Sequence, residues 1–299
     1  MKINQNFINK LNYLKLMFLN SFSSKKFNCP NCNNSKNIII ERKFLITTLR
    51  RCEKCYLMYR APTLNEEDNN EFYQESYTQG FTSKFPNDEK LKKLLETNFK
   101  TTDRSYNKYI DILNNLSKEK NLNLFDFGCS WGYGSYQLKK EGYNVKAFEV
   151  SKPRANYAKT KLNIDVISDL NLLEENHFDI FFSAHVIEHI PNINKIINLA
   201  FKILKKNGFF VAITPNGSMI HKKKNKNWNK LWGMVHPNFI DEIFYKNHFK
   251  DFQYYISSSP YHQNTDENNI RIKKNFENDN LKYCDELSED ELLIIVKNK

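Results

Sequence analysis

Four cysteines near the amino end of the chain fall into two close pairs, Cys29 with Cys32 and Cys52 with Cys55. Two C-x-x-C pairs on either side of a β-prone stretch can bring four thiolates into a tetrahedron around one Zn²⁺. The alternatives are four unrelated reduced thiols or one disulfide within each pair. Because four thiolates leave no open coordination position, we expect the metal to have a structural or recognition role rather than a catalytic one.

A glycine-rich turn, GCSWGYG, directly follows the apolar run 122–127. Glycines at the end of a strand let the backbone approach a ligand closely, since a Cβ would clash there. The spacing departs from the G-x-G-x-x-G dinucleotide pattern because Ser130 stands at the second glycine position, and no Gly-Lys-Ser/Thr follows. Glu149 ends the next apolar run, where it is either an ordinary strand-end acid or an acceptor for ribose hydroxyls. Together, the turn and the acid favour a ligand-binding site.

Three histidines are candidates for proton transfer. His185 and His189 lie in the stretch AHVIEHIPN, with Glu188 between them, and His236 lies in WGMVHPNF. If the first stretch is helical, the spacing of four residues places His185 and His189 on one face. The alternative is that these histidines are structural and cap backbone groups at a turn.

The elements that must position these groups alternate between strands and helices from residue 122 onward. Apolar runs predict seven strands, at 122–127, 145–150, 164–167, 178–184, 207–216, 249–257 and 292–297. Helical patterns predict a helix that ends near residue 141 and further helices at 152–162, 192–204 and 237–247. Such alternation implies an α/β fold with a doubly wound, mostly parallel sheet and helices on both faces. The last two strands are expected to add an antiparallel edge.

Three shorter segments precede this sheet. Residues 1–26 predict an amphipathic helix, 27–61 a zinc-ribbon-like module and 62–121 a helical lead-in or cap, while 122–299 form the sheet domain with a polar insertion near 260–290. Lysines interrupt the first helix and no small-residue cleavage site follows it, so we do not expect a signal peptide. The helix is expected to pack on its own protein, with attachment to a membrane surface as the alternative.

The chain has 299 residues, a formal net charge of +11 and 40% hydrophobic residues. This content is enough for a globular core, and because no run of 18 apolar residues occurs, we expect a cytoplasmic protein without a membrane-spanning helix. The charge raises the question of a nucleic-acid partner, with basic runs at 202–206, 221–230 and 271–274. These runs lack the arginine content and the interleaved exposed aromatics expected of nucleic-acid grooves, so a lysine-rich, solvent-exposed surface is favoured.

Four segments, taken together, resemble the successive motifs of class I S-adenosylmethionine-dependent methyltransferases: LFDFGCSWGYG, AFEVSKPRANYA, FDIFFSAHVIEHI and NGFFVAITPN. Their order and spacing match over residues 105–257. The segment RCEKCYLMYRAPTLNEEDNNEFYQESY also resembles the zinc-ribbon lead-in of a bacterial subgroup. Members of that subgroup often methylate sugars or other small metabolites in surface-polysaccharide pathways. The resemblance implies a Rossmann-like methyltransferase fold with S-adenosylmethionine as the cofactor.

The resemblance also implies roles for individual residues around the cofactor. The matching positions are Asp126 before the turn; Gly128, Cys129, Ser130 and Gly132 under the methionine moiety; Glu149 at the ribose; Val150 and Asp169 at the adenine; and Ser183, Ala184 and His185 near the sulfonium. Tyr77 is a candidate to close over the cofactor from the amino-terminal side. Ser130 replaces the usual middle glycine, so the resemblance leaves the path of that turn open.

The resulting expectation is methyl transfer to a small-molecule acceptor, which would be a nucleotide-linked sugar, a glycan or a lipid intermediate. Methyl transfer from a sulfonium is an in-line displacement, so the enzyme mainly has to hold the acceptor close and aligned. A base is needed only for a hydroxyl, an ammonium or a carbon acid, with His185, His189 and His236 as candidates. Trp228 and Trp232 could line an acceptor pocket or pack in the core.

Two other functions compete with this expectation. An RNA or protein methyltransferase would use the zinc ribbon and the basic surface for docking. A non-catalytic binding module would have a degenerate cofactor site, and it is disfavoured because Asp126, Gly128, Gly132 and Glu149 are all present.

Overall fold

The computed structural model of the chain describes residues 5–64, 85–117, 119–234, 236–259, 265–277, 281–285 and 287–299. Its strands are β1 (Asn37–Lys43), β2 (Thr47–Cys52), β3 (Met58–Ala61), β4 (Asn123–Phe127), β5 (Asn144–Phe148), β6 (Asp165–Ile167), β7 (Phe178–Ala184), β8 (Leu204–Pro215), β9 (Asn238–Phe239), β10 (Gln253–Ser259), β11 (Lys282–Cys284) and β12 (Glu291–Lys297). Its α-helices are α1 (Gln5–Asn20), α2 (Asp88–Glu96), α3 (Asn107–Asn114), α4 (Tyr133–Glu141), α5 (Lys152–Leu162), α6 (Ile193–Ile203), α7 (Met219–Lys224), α8 (Glu242–His248) and α9 (Thr265–Glu277). These strands form one sheet of four strands and one of eight.

The larger sheet has the strand order β11-β10-β12-β8-β7-β4-β5-β6. Strands β4 to β8 run parallel, because the intervening helices and turns return the chain to the same end of the sheet. β12 lies antiparallel between β8 and β10, as expected for this edge. The carboxyl ends of β4, β5 and β7 therefore meet at one edge, where sheets of this kind bind ligands.

The larger sheet has one strand more than the seven predicted. The additional strand, β11, lies within the expected polar insertion 260–290, which also contains α9, and it pairs in parallel with β10. β11 has only three residues at the edge of the sheet and no buried side chain, so no apolar run marks it in the sequence. The helix predicted at 237–247 begins only at Glu242, because residues 238–239 pair as β9.

The smaller sheet joins the cysteine segment to the larger sheet. β1, β2 and β3 form an antiparallel meander, and β9, from the far half of the chain, pairs with β3 as the fourth strand. Cys52, Leu57 and Tyr59 are fully buried in a hydrophobic core that they share with Ile187 and Ile240. The cysteine segment is therefore packed into the core of the larger unit.

Helix α1 forms where the apolar spacing predicts it. Met17 is fully buried against the protein, whereas Phe18 and Leu19 leave 50% and 57% of their surfaces exposed. Among the helices that the structure describes, none is long and apolar enough to cross a membrane.

The two tryptophans considered for an acceptor pocket pack in the core. Trp228 and Trp232 are both buried, and the ring of Trp228 lies 4.8 Å from that of Phe239, measured between centroids. Lys43 Nζ covers the Trp232 ring at 4.0 Å from its centre. Of the two alternatives, core packing is the one that the structure shows.

The basic runs make ion pairs within the protein. At least one cation from each run pairs with a carboxylate, as Lys205 with Asp179 at 2.8 Å, Lys222 with Glu41 at 2.8 Å and Arg271 with Asp285 at 2.9 Å. These pairs reduce the positive charge that the runs present to a polyanion, which agrees with the expectation of an ordinary lysine-rich surface.

Candidate cofactor and acceptor cleft

The turn between β4 and α4 has a left-handed backbone at three positions. Gly128, Ser130 and Gly132 have φ values of +89°, +53° and +87°. A Cβ on Gly128 would lie 2.4 Å from Cγ2 of Val186, so only glycine fits between the turn and the segment after β7. Ser130 retains the left-handed conformation, and its N–H donates to Glu149 Oε2 at 2.9 Å. The serine is therefore compatible with a glycine-type turn.

Two buried carboxylates stabilise the ends of β4 and β5. Asp126 accepts a hydrogen bond from Ser135 Oγ at 2.5 Å, and burial raises the pKa of Asp126 to about 6. Glu149 accepts from the N–H groups of Ser130 and Ser151 at 2.9 and 2.8 Å, and burial raises its pKa despite these bonds. Each Glu149 oxygen keeps a second lone pair that a ligand hydroxyl could use.

Val150 and Asp169, the residues expected at an adenine, are both exposed at the same edge of the sheet. Val150 follows β5 and leaves 45% of its surface accessible. Asp169 follows β6, and its carboxylate accepts from the N–H of Asn171 at 2.9 Å, which caps a short 3₁₀ turn. Because both side chains follow neighbouring parallel strands, they form an open rim beside Glu149.

A cleft of about 380 Å³ opens beside the glycine turn. Of the predicted site residues, those that line it are Gly128, Cys129, Ser130, Ala184, His185, His189 and His236. The predicted residues that lie outside its lining are Asp126, Gly132, Glu149, Val150, Asp169 and Ser183. Tyr77 lies outside the described residues. The cleft thus combines the cofactor turn with all three histidines.

The three histidines reach the cleft from different segments. His185 follows β7 in a left-handed conformation, with φ at +57°. His189 ends a single 3₁₀ turn, Ile187–His189, so the condition for a helical face shared by His185 and His189 is not met, and the alternative of a turn is the one that the structure shows. The left-handed residue takes the chain out of helical geometry at the point where a shared helix would begin. The ring of His236 packs on that of His189, with the centroids 4.7 Å apart.

Glu188 is a buried acid between the histidines. Its side chain is 1% exposed, and burial raises its pKa to about 7. Neither carboxylate oxygen makes a hydrogen bond within the part of the chain that the structure describes. Its Oε1 lies 3.7 Å from His185 Nδ1, so the carboxylate acts on that ring through its charge.

Four charged residues that line the cleft were not predicted from the sequence, and two of them, Lys108 and Glu291, contact each other. Lys108, on α3, donates from Nζ to Oε1 and Oε2 of Glu291 at 2.8 and 2.7 Å. Oε1 of the same carboxylate lies 2.9 Å from His185 Nε2. Glu291 is the first residue of β12 and faces Pro215, the last residue of β8. The signal that could have found Glu291 is the antiparallel direction of β12, which places its first residue at the carboxyl edge of the parallel strands.

The four paired cysteines lie together, away from the cleft lining. Cys29 Sγ lies 3.5 Å from Cys55 Sγ, and Cys32 Sγ lies 3.5 Å from Cys52 Sγ. All four are free thiols whose sulfur atoms lie within 4.8 Å of one another. Four sulfurs around a tetrahedral Zn²⁺, each at a bond length of about 2.3 Å, would be separated by about 3.8 Å, so these positions fit one zinc ion.

Known proteins match the part of the chain that forms this cleft. A family model described as a methyltransferase domain matches residues 101–259. The ubiquinone biosynthesis O-methyltransferase of Pelagibacter ubique is 32% identical over 107 residues, which cover 33% of this chain and 45% of that protein. The protein of the same name from Rickettsia prowazekii is 26% identical over 170 residues, or 54% of this chain and 64% of that protein. The chain spans about half the length of the first curated relatives that it matches.

Similarity to solved structures concerns the fold. The plantazolicin methyltransferase BamL, in complex with a triazolic desmethylPZN analog and SAH, superimposes with a TM-score of 0.51. The alignment covers 78% of this chain and 97% of that chain, at 14% sequence identity. At this identity the similarity supports the arrangement of the sheet and helices alone.

Proposed function

Because the chain belongs to the methyltransferase family whose model matches residues 101–259, we propose that it transfers a methyl group from S-adenosylmethionine to a small-molecule acceptor. The observation that carries this proposal is the left-handed turn 128–132, fixed at its centre by the carboxylate of Glu149. The turn opens directly onto the cleft of about 380 Å³. A crevice outside the carboxyl ends of parallel strands is the expected ligand site of such a sheet.

The cofactor would lie along the edge formed by the ends of β4, β5 and β7. The backbone at 128–130 would contact its methionine moiety, Glu149 would accept from the ribose hydroxyls, and Val150 and Asp169 would flank the adenine. Asp126 and Gly132 would support the turn. Ser183, Ala184 and His185 would lie towards the sulfonium of the cofactor. When bound, S-adenosylmethionine supplies an electrophilic methyl group.

The acceptor would occupy the side of the cleft formed by His185, His189 and His236. The chain must align the acceptor atom, exclude water and, for a hydroxyl acceptor, take up a proton. The curated relatives are O-methyltransferases of ubiquinone biosynthesis by name, which favours oxygen as the methylated atom. Within that class, the resemblance of the cysteine segment supports a hydroxyl of a sugar, glycan or lipid intermediate.

The four cysteines would hold a structural Zn²⁺. The sulfur positions fit a tetrahedral ion, and such a site has no open position for a substrate. The ion would stabilise the smaller sheet, which shares its core with the larger sheet. The zinc proposal therefore rests on the four thiols of this chain, and the ion is expected to act in folding.

Calorimetric titration with S-adenosylhomocysteine (SAH), the product that lacks the transferred methyl group, tests the cofactor site. We expect the wild-type protein to bind SAH and Glu149→Ala to bind it roughly 10- to 100-fold more weakly, because a hydrogen bond to a charged group contributes about 1.5–3 kcal/mol. The matched control is Asp165→Asn, which changes an exposed acid at the start of β6 and should leave the affinity unchanged. Wild-type protein that gives no heat at high concentration would contradict the proposal.

Transfer of tritium-labelled methyl groups to fractionated cell extract identifies the acceptor class. Label in lipid-extractable products would support a lipid intermediate, and label in water-soluble small molecules would support a sugar. Label that enters only protein or RNA would show that the acceptor is macromolecular and that the proposed small-molecule class is wrong.

Gly128→Ala should weaken SAH binding by roughly 5- to 150-fold. The new Cβ would overlap Val186, and the strained turn, at about 1–3 kcal/mol, would relax away from the shape that the ligand needs. The matched control is Gly142→Ala, which also has a positive φ but no atom within 4 Å of the new Cβ. Titration should show normal SAH affinity for the control. Equal affinities for both variants would mean that the turn does not contact the cofactor.

A further inference from the structure

The ring of His185 has a carboxylate near each of its two nitrogens. Nε2 lies 2.9 Å from Glu291 Oε1, and Nδ1 lies 3.7 Å from Glu188 Oε1. The contact of Nε2 with Glu291 is a hydrogen bond, whereas Glu188 lies too far from Nδ1 to accept one. Two acids beside one imidazole favour its protonated form through their charge. His185 has a left-handed backbone, which is unusual for a residue with a side chain, and its ring lies between the two acids.

Glu291 remains charged because a second cation binds it. Lys108 Nζ donates to both of its oxygens, at 2.8 and 2.7 Å, and Tyr109 Oη lies 3.5 Å away. Burial would raise the pKa of Glu291, but the hydrogen bonds and charges of His185 and Lys108 lower it to about 2. The carboxylate therefore stays ionised at every pH at which the protein is expected to work.

The ring of His236 is bonded differently: a carbonyl oxygen, and not a carboxylate, lies at hydrogen-bond distance from one nitrogen, while a carboxylate oxygen of Glu188 and a ring nitrogen of His189 lie within 4.8 Å of a nitrogen of this ring. Its Nδ1 lies 2.6 Å from the carbonyl oxygen of Leu231, and because a carbonyl can only accept, Nδ1 must carry the hydrogen. Nε2 is then the nitrogen with the lone pair. One face of the ring packs on His189. Burial lowers the pKa of His236, and the charges of His185 and Lys43 lower it further, against the effect of the Leu231 carbonyl.

We propose that the two histidines divide the proton chemistry of the reaction: Glu291 holds His185 as a fixed imidazolium, and neutral His236 accepts the proton of the acceptor through Nε2. The proposal rests on the proposed function and names the positioning residue, Glu291, which lies outside the part of the chain that the family model matches. Environments that move two titratable groups in opposite directions are the usual mark of separate roles in one site.

With a hydroxyl acceptor, the transfer forms one bond to the methyl carbon and breaks another. The acceptor oxygen forms a bond to the methyl carbon, the sulfur–methyl bond breaks, and its electron pair stays on sulfur to give SAH. The hydroxyl proton moves to Nε2 of His236. The positive charge of His185 favours the negative charge that develops on the oxygen while that proton leaves.

Histidine-selective NMR titration of the full-length protein tests this division without an acceptor. Spectra of His185→Gln and His236→Gln give the assignments. In the wild type, His185 should titrate above the ordinary value and His236 below it, with hydrogen on Nδ1 of the neutral His236 ring. Glu291→Gln should lower the pKa of His185 by about one unit or more, since an opposite charge at this distance has that effect. The matched control Glu289→Gln changes an exposed acid nearby and should shift neither histidine.

Lys108→Met provides a second measurement, in which the pKa of His185 should shift in the opposite direction. Loss of the lysine charge, which lowers the pKa of His185, should raise that pKa further. A structural disturbance alone would not move His185 down in one variant and up in the other. An ordinary pKa for His185 in the wild type, the same direction of shift in both variants, or hydrogen on Nε2 of neutral His236 would overturn the proposal. SAH titration of the same samples reports separately on the proposed function.

Discussion

Asp241→Ala should lower the free energy of unfolding by about 3–5 kcal/mol, because it leaves a buried guanidinium without its carboxylate. Asp241 Oδ2 lies 2.5 Å from a terminal nitrogen of Arg51, and the acid is fully buried while the arginine is 10% exposed. The same acid caps α8, since its Oδ1 accepts from the N–H of Phe244 at 3.1 Å. One substitution therefore removes an ion pair and a helix cap.

Denaturant unfolding measures this effect against a surface pair. The matched control is Glu89→Ala, whose partner Lys93 lies 2.9 Å away on α2 with both side chains more than 70% exposed. An exposed pair of this kind contributes less than about 1 kcal/mol, so the control should unfold close to the wild type. If Asp241→Ala and Glu89→Ala unfold at the same denaturant concentration, the buried pair of Arg51 and Asp241 does not stabilise the contact between the smaller sheet and α8.

The turn and the strand-end acid that are proposed to hold the cofactor could be located from the sequence because their signals are local. The turn at 128–132 follows a strand directly, and only glycine or a small residue fits its left-handed positions. Glu149 ends the next strand, so the parallel arrangement alone brings it near the turn. The strand and helix pattern from β4 to β8 was predictable for the same reason, since each apolar run is followed by its own crossover.

The contacts around the histidines of the cleft were not predicted, because they join distant parts of the chain. Glu291 reaches His185 and Lys108 only after β12 has paired with β8, and no periodicity specifies that pairing. The residue pair Met58 and Phe239 joins β3 to β9, where two residues are too few to give a pattern. The spacing of the histidines left a helix and a turn as alternatives, and the left-handed residue His185 is part of a turn.

The smaller sheet also positions one of the histidines. The N–H of Arg60, in β3, donates to the carbonyl of Pro237 at 2.8 Å, and its guanidinium donates to the carbonyls of Gly233 and Met234. His236 lies between these anchored residues. The cysteine segment, through β3 and β9, therefore holds the segment that carries His236, so a metal that stabilises the smaller sheet would also keep this wall of the cleft in place.

Cys52→Ser should remove the zinc from the protein and destabilise the smaller sheet. Cys52 is fully buried, and a structural zinc contributes its binding free energy to folding. We expect about one zinc per chain in the wild type, almost none in the variant, and a melting temperature lower by roughly 5–10 °C or more. The matched control is Cys284→Ser on β11, outside the cluster, which should keep its zinc. Metal analysis and thermal unfolding measure these effects. The four thiols do not hold a structural ion if the wild type contains no zinc after growth in zinc-replete medium, or if the two variants melt at the same temperature.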